Sequence, residues 1–230
     1  NGPMFGAGVD EKFSPASLLK VPLMMAALKQ AEADPALLER RLRNDQPEMA
    51  RSDFNGHALE PGKEYSVDAL LRAMIATSDN NAVIMLRTVV GDAAFNAVFH
   101  DFGMIIPEVR TLDDSMTVRE YAAFFRILYN ASYLNKTMSQ KALGYLAEST
   151  FKTGVVAGVP PGTSVAHKFG ERSFYDNKSK QLHDCGVVYH PAQHYVLCVM
   201  SRGDDFDKLS GVIKDVSALI YTEVDAQNKY

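Results

Sequence analysis

The sequence predicts an α+β fold: a helical block, then three antiparallel strands, then a closing helix. Three observations carry this. From Ser14 to about Leu146, apolar residues recur at helical spacing between caps and turns. From Ser164 the pattern switches to β-branched and aromatic runs bounded by Pro, Gly and Asn. From Asp205 to about Glu223, Phe206, Leu209, Val212, Ile213, Val216, Leu219 and Ile220 return to the period of an amphipathic helix. Helices packed on an antiparallel sheet bury both patterns at once. At 230 residues the chain has the size of one domain with room for two lobes.

Taken in order, residues 1–13 hold only a weak strand, Phe5-Gly6-Ala7-Gly8-Val9. Ser14 then reads as an N-cap and Pro15 as the first residue of a helix, where a missing N–H costs nothing. Leu18, Leu19, Val21, Leu23, Met24 and Met25 make that helix apolar on nearly every face, so it belongs at the centre of the domain. Pro22 inside it predicts a kink. A second helix is expected over 35–43, and the turn-rich stretch 44–65 is a surface excursion. Ser66 opens a helix that stops at Thr77-Ser78-Asp79-Asn80-Asn81. An apolar helix over 82–90 follows, then Gly91-Asp92, then another helix to about Phe102. Residues 103–116 connect irregularly. Thr117, with Glu120 at capping-box spacing, starts a helix through Tyr129, and Ser139 caps one through about Leu146. The strands are expected at 164–168, 184–189 and 195–200.

Composition excludes several classes. A net charge of −4 offers no basic surface for nucleic acid, and no apolar run has the length of a membrane span. The chain opens Asn1-Gly2-Pro3, which reads as a mature or trimmed fragment, with residues 1–13 supplying little of a first strand for the sheet; targeting is unreadable. Cys185 and Cys198 are too few for a disulfide framework. They fall on consecutive strands and would pair across a two-residue loop at Pro191-Ala192, but Pro-Ala is a poor hairpin turn, so no bridge is expected.

The chemistry-bearing residues start with Ser17 and Lys20. Three apart on a helix, their Cβ atoms lie about 5–6 Å from each other. A desolvated lysine loses its proton more easily, and a serine beside such a base is an activated nucleophile. The bland reading makes Ser17 a first-turn residue and lets Lys20 reach water; Ser149-Thr150-Phe151-Lys152 repeats the pattern. Two further polar clusters fall where this layout can gather them: Ser78-Asp79-Asn80, between two apolar helices, and Lys168-Phe169-Gly170, in the first strand of the sheet.

Ser-x-x-Lys, then Ser-Asp-Asn, then Lys-Thr-Gly is the motif set of class A β-lactamases and penicillin-binding proteins. This chain resembles that superfamily in order, in the gap of about 60 residues between the first two motifs, and in the approach Gly158–Lys168 to the third. The resemblance runs from Phe13 to the final helix. It implies a β-lactamase/transpeptidase-like fold, an antiparallel sheet packed by N- and C-terminal helices plus an all-helical lobe. The α/β lobe would take residues 1–30 and 160–230, and the helical lobe 31–159, all within one domain. It further implies that Ser17 is the nucleophile, Lys20 its base, Ser78 the proton donor to the leaving nitrogen, and Lys168 its helper. Asn80 would hold Lys20 or the substrate amide, and the backbone N–H groups of Ser17 and Glu171 would form the oxyanion hole. Two decoys are set aside. Lys152-Thr153-Gly154 matches the third motif literally but follows a helix rather than lying in a strand, and Tyr133-Leu134-Asn135 comes too late to be a second motif.

Two departures bear on the reaction. Phe169 stands where the family carries a hydroxyl that helps bind the substrate carboxylate, with Arg172 or Arg202 as substitutes. Residues 103–116 are roughly a dozen residues shorter than the family's Ω-loop, and Glu108, the only glutamate there, lacks the Glu-x-x-Leu-Asn pattern. The expectation is therefore a penicillin-binding D,D-peptidase type with slow deacylation. A genuine β-lactamase and a non-catalytic penicillin-binding or sensor domain are the alternatives. Substrate contacts are expected from Asn80, Phe169, Gly170, Glu171 and Arg172, with no cofactor and no metal. His190 and His194 at a turn read as inert, His167 as packed away from the cleft, and His183 as lacking a serine partner. The resemblance places the protein outside the cytoplasm, as a monomer acting on a β-lactam or peptidoglycan-type small molecule.

Overall fold

The computed structural model describes residues 4–46, 59–106, 115–174 and 179–228. Its centre is α1 (Lys20–Ala33), in which Val21 to Leu28 and Ala31 are buried. A helix apolar on all sides needs partners on all sides, and α1 packs against α2 (Val67–Ala76), α3 (Asn80–Asp101) and α5 (Lys136–Ala147). Each fully buried leucine or methionine here contributes about 1.5–3 kcal/mol of transfer free energy.

Side-chain caps set several helix starts. Ser66 Oγ accepts from Ala69 N at the start of α2. Asp79 caps α3, which breaks at Gly91 (φ 75°, ψ 157°), a left-handed conformation suited to glycine; this is the predicted pair of helices joined end to end. Thr117 and Glu120 form the expected capping box of α4 (Val118–Tyr129). α5 starts from Asn135, earlier than the predicted Ser139, because Asn135 Oδ1 takes Met138 N while Ser139 Oγ donates to Leu134 O. The final helix, α6 (Phe206–Gln227), is capped by Asp205.

The main sheet orders β5 (Val165–Ser173), β6 (Lys180–Val188) and β7 (Tyr195–Gly203), all antiparallel. β5 and β7 run past their predicted ends, and β6 starts four residues before its predicted start. One face packs against the helical core through Ala166, Cys185 and Val187. The other, with Val165, Phe169, Leu182 and Val188, packs against Phe151, Val155 and α6 residues Leu209 and Ile213.

Several local expectations are corrected. The Phe5–Val9 strand does not form; β1 (Lys12–Phe13) pairs instead with β4 (Met116–Thr117). The predicted helix over 35–43 is a 3-10 turn, Pro35–Glu39, followed by β2 (Arg41–Arg43), which pairs with β3 (Glu64–Ser66). Pro22 makes no kink, because α1 starts only at Lys20 and Pro22 falls in its first turn, where the N–H has no helical partner. Cys185 and Cys198 are disulfide-bonded. The register sets them directly opposite, although β6 and β7 are joined through residues 189–194 rather than by a two-residue turn. α3 has the length and apolar composition of a membrane crossing, contrary to the sequence reading, but it is interrupted at Gly91 and buries Leu86, Val90, Val98 and Phe99 in the core.

Candidate active site

Ser17 lies in a 3-10 turn, Ala16–Leu19, rather than in the first turn of an α-helix. The cause is upstream. Ser14 is not a cap: its N–H donates to Gln181 Oε1 at 3.0 Å, and its carbonyl accepts from His183 Nε2 at 3.1 Å. Both partners belong to β6, so the segment before the serine is pinned to the sheet and the helix starts later. The turn is tight. Ala16 has φ 43°, a left-handed conformation that costs a non-glycine residue about 1–3 kcal/mol.

The next strand closes on this turn. A Cβ on Gly170 would stand 3.0 Å from Leu18 Cγ and 3.3 Å from Pro15 O. A glycine lets β5 lie that close to the serine turn without displacing Leu18. β5 pairs with β6 alone among the described residues, so its outer edge presents main-chain groups beside Ser17.

Lys20 is buried, and its Nζ donates to Ser78 O (2.6 Å), Ser78 Oγ (2.9 Å) and Asn80 Oδ1 (2.8 Å). No hydrogen bond joins it to Ser17 in this structure; its three ammonium hydrogens all point at the second motif. Burial lowers the Lys20 pKa to about 7, with Asp79 and Glu171 opposing. Ser78 occupies the turn between α2 and α3 with φ 57°. That left-handed turn presents both its carbonyl and its hydroxyl to Lys20. Asp79 accepts from Ala82 N at 2.7 Å and from Leu59 N at 3.0 Å, which locks the turn from outside.

Lys168 has no exposed surface. Its Nζ donates to Ser78 Oγ at 3.0 Å and to Phe169 O at 2.9 Å, and lies 4.1 Å from the centroid of the Phe169 ring. Burial, and then the neighbouring Lys20, push its pKa well down. Three motifs thus meet at one oxygen, Ser78 Oγ. With both lone pairs facing lysine N–H groups, the hydroxyl has its own hydrogen left to give elsewhere.

The family model described as the Beta-lactamase enzyme family matches residues 1–224. The chain belongs to the β-lactamase family. Its sequence is 38% identical over 95 residues to Beta-lactamase L2 of Stenotrophomonas maltophilia, a stretch covering 40% of this chain and 30% of that relative's length. Among solved structures it superposes on PBP-A with TM-score 0.77 and 23% identity, over 95% of this chain and 84% of that one. A PBP-A mutant of the same similarity was solved as an acyl-enzyme complex with penicillin G. A β-lactamase from Chitinophaga pinensis gives TM-score 0.82 and 20% identity, over 97% and 90% of the two chains. The β-lactamase/transpeptidase fold expected from the motifs is the fold of these neighbours.

Within that family frame, the remaining candidates separate. Asn80 touches Lys20, and Gly170 touches the serine turn. Glu171 is half-buried and within electrostatic reach of both lysines. The Phe169 side chain is not in the cleft: it is fully buried and stacks on Phe151 at 4.5 Å between centroids. The Arg172 guanidinium lies 4.3 Å from the ring centroid of Phe174, and Arg202 donates to Lys12 O at 2.6 Å. Lys152 is exposed, and Asn135 of the other decoy caps α5. Glu108 lies outside the described residues. His194 Nδ1 pairs with Tyr129 Oη at 2.8 Å, and His190 Nδ1 accepts from Ala192 N at 3.1 Å, so both turn histidines have structural partners.

Sequence reasoning missed Asp184. It is fully buried, opposite Phe169 in the register, with Oδ1 2.7 Å from His167 Nδ1 and Oδ2 accepting from Val155 N at 2.8 Å. An aspartate opening an otherwise apolar expected strand, Asp184–Tyr189, was the available signal.

Proposed function

We propose that this protein is an acyl-transfer hydrolase of the D,D-peptidase, penicillin-binding type. Ser17 is its nucleophile, with β-lactams and D-Ala-D-Ala-type peptides as acyl donors. The observation that carries the reading is the double engagement of Ser78 Oγ by Lys20 and Lys168 beside the strained Ser17 turn. Ser17 Oγ attacks the acyl carbonyl carbon, and its proton passes to the Lys20 amine. Neutral Lys20 has two hydrogens for three acceptors, so losing its proton releases one contact and frees a lone pair to turn toward Ser17. The carbonyl oxygen takes the negative charge and rests on the N–H groups of Ser17 and Glu171, preorganised donors of the oxyanion-hole type. The C–N bond then breaks, Ser78 gives its proton to the leaving nitrogen, and a lysine ammonium restores it. The product is an ester on Ser17, which water later cleaves.

The match to Beta-lactamase L2 favours a second reading, efficient β-lactam hydrolysis, in which deacylation is fast. The Cys185–Cys198 bond supports placing the protein outside the cytoplasm, where disulfides persist. The test is intact-protein mass followed over time after mixing with benzylpenicillin. A long-lived adduct on Ser17 supports the penicillin-binding reading. A transient adduct with released penicilloate supports the β-lactamase reading. No adduct removes both.

A further inference from the structure

Lys168 is anchored through its two strand neighbours. Side chains alternate along a strand, so His167 and Phe169 share the face of β5 that packs against α6 and residues 151–155. The Phe169 ring stacks on Phe151, and His167 Nδ1 lies 2.7 Å from Asp184 Oδ1. Asp184 Oδ2 accepts from Val155 N at 2.8 Å. Phe151 and Val155 bracket Lys152-Thr153-Gly154, the stretch that copies the third motif outside the sheet. Ser210 Oγ donates to Thr153 O at 2.9 Å and Ser217 Oγ to Val155 O at 2.8 Å, which ties this stretch to α6. A Cβ on Gly154 would stand 2.5 Å from Asp184 Oδ2, so the glycine lets the stretch close on the carboxylate.

Asp184 and His167 are both fully buried. His167 Nε2 is closed to solvent and has no hydrogen-bond partner among the described residues. A protonated ring, or a neutral ring with its hydrogen on Nε2, would strand an N–H there. The hydrogen therefore sits on Nδ1, and Asp184 is a carboxylate that accepts at both oxygens. Its charge is not cancelled within the pair. The cation that feels it is Lys168: burial, then Lys20, lower the Lys168 pKa, and Asp184, then Glu171, oppose them.

We infer that Asp184 is a positioning residue: clamped between His167 and Val155, it holds Lys168 as the ammonium that returns a proton to Ser78. The inference rests on the acyl-transfer reading for that last step. Asp184 touches no reacting atom and acts through Lys168. The protons balance. Ser78 gives its hydrogen to the leaving nitrogen, and Lys168 gives one to Ser78 Oγ. Lys20, which took the Ser17 proton, then recharges Lys168 through the same oxygen, on which both lysines donate. The other ionisable groups about the pair are engaged elsewhere or act on both lysines. Lys20 on α1 donates to Ser78 and Asn80, and Asp79 accepts from Ala82 N and Leu59 N. Glu171 on β5 acts on Lys20 and Lys168 together. Tyr121 on α4 is buried, and burial, then Asp184, hold its pKa well above the usual phenol range. From α6 come the Ser210 and Ser217 hydroxyls, which do not titrate.

The test is Asp184→Asn, which keeps the shape and removes the charge. The titration of Lys168 is read from its Cε resonance in protein carrying carbon-labelled lysine, assigned by its loss in Lys168→Ala. Its midpoint should fall by about one pH unit in Asp184→Asn. Acylation of Ser17 by benzylpenicillin at pH 7, read by intact mass, should slow about tenfold. An unchanged Lys168 midpoint in folded Asp184→Asn overturns the inference, even where acylation slows, because a merely structural role lowers the rate without moving the titration. A lowered midpoint with undiminished acylation overturns it as well. A second measurement needs no variant: nitrogen-labelled histidine in the wild type should report His167 neutral at pH 7, with its hydrogen on Nδ1. An imidazolium, or a hydrogen on Nε2, overturns the inference because the charge of Asp184 is then cancelled or absent. No labelling of Ser17 in the wild type overturns the acyl-transfer reading, and with it the proton-return step, even where the midpoint shifts.

Discussion

Lys20 Nζ reaches both oxygens of Ser78, the carbonyl at 2.6 Å and the hydroxyl at 2.9 Å, across 58 residues of sequence. This double contact ties the serine helix to the α2–α3 turn. It also makes the protonation state of Lys20 a structural variable as well as a chemical one.

Ser17→Ala removes the proposed nucleophile without touching that network. Covalent labelling by penicillin should vanish, and the melting temperature should stay within a few degrees of wild type. Undiminished labelling would sink the assignment.

Acylation should rise with pH through a midpoint near 7, since only neutral Lys20 can accept the Ser17 proton and burial lowers its pKa to about 7. Stability is linked in the same direction. Between pH 7 and 10 the unfolded chain still holds the lysine proton and the folded protein does not, so folding gains as pH rises. Compared with Lys20→Met, the wild type should therefore become relatively more stable over that window. Denaturant titrations of both proteins at pH 7 and pH 10 give the answer, and an unchanged difference would refute the linkage.

The two candidate third-motif lysines differ sharply in placement. Lys168→Ala should slow acylation on the order of 100-fold, in the range for a positioned proton-transfer group, whereas exposed Lys152→Ala should change it little. The reverse ranking of acylation rates would move the third motif to Lys152.

Gly170→Ala drives a methyl group to 3.0 Å from Leu18 Cγ and 3.3 Å from Pro15 O. Relief requires the Leu18 side chain and the serine turn to give way by a few tenths of an ångström. The expected cost is about 1–3 kcal/mol of stability by overpacking, with acylation slowed at least tenfold. Normal kinetics in this variant would show that the close approach is not needed for the reaction.

Reduction of the Cys185–Cys198 bond, which closes a short loop across β6 and β7, should cost about 2–3 kcal/mol in denaturant unfolding. Cys185 stands directly across from Lys168 in the ladder, but the β5–β6 pairing itself does not depend on the bond, so labelling at Ser17 should persist in the reduced protein at room temperature.

How much of this was legible beforehand varies with the range of the interaction. The Thr117–Glu120 capping box, the Ser66 cap and the break at Gly91 each depend on residues within four positions, and all three were readable from their letters. The Ser14 cap was wrong for the opposite reason. Its N–H bonds to Gln181, 167 residues away, and no local rule anticipates a partner that distant. The disulfide was misjudged because turn chemistry was used to infer register. The cross-strand ladder, held by burial of alternating faces on both sides, set Cys185 opposite Cys198 whatever the turn.

By itself the sequence determined the α+β order of elements, the all-round burial of the Lys20 helix and the three polar clusters, because periodicity and motif spacing are local properties of the chain. Only the tertiary structure decided that Lys20 faces Ser78 and Asn80 instead of Ser17, that Phe169 turns into the core, and that Glu171 comes within electrostatic reach of both lysines. Those outcomes depend on which groups burial forces together, and desolvated charges take whatever partners the packed chain leaves within reach.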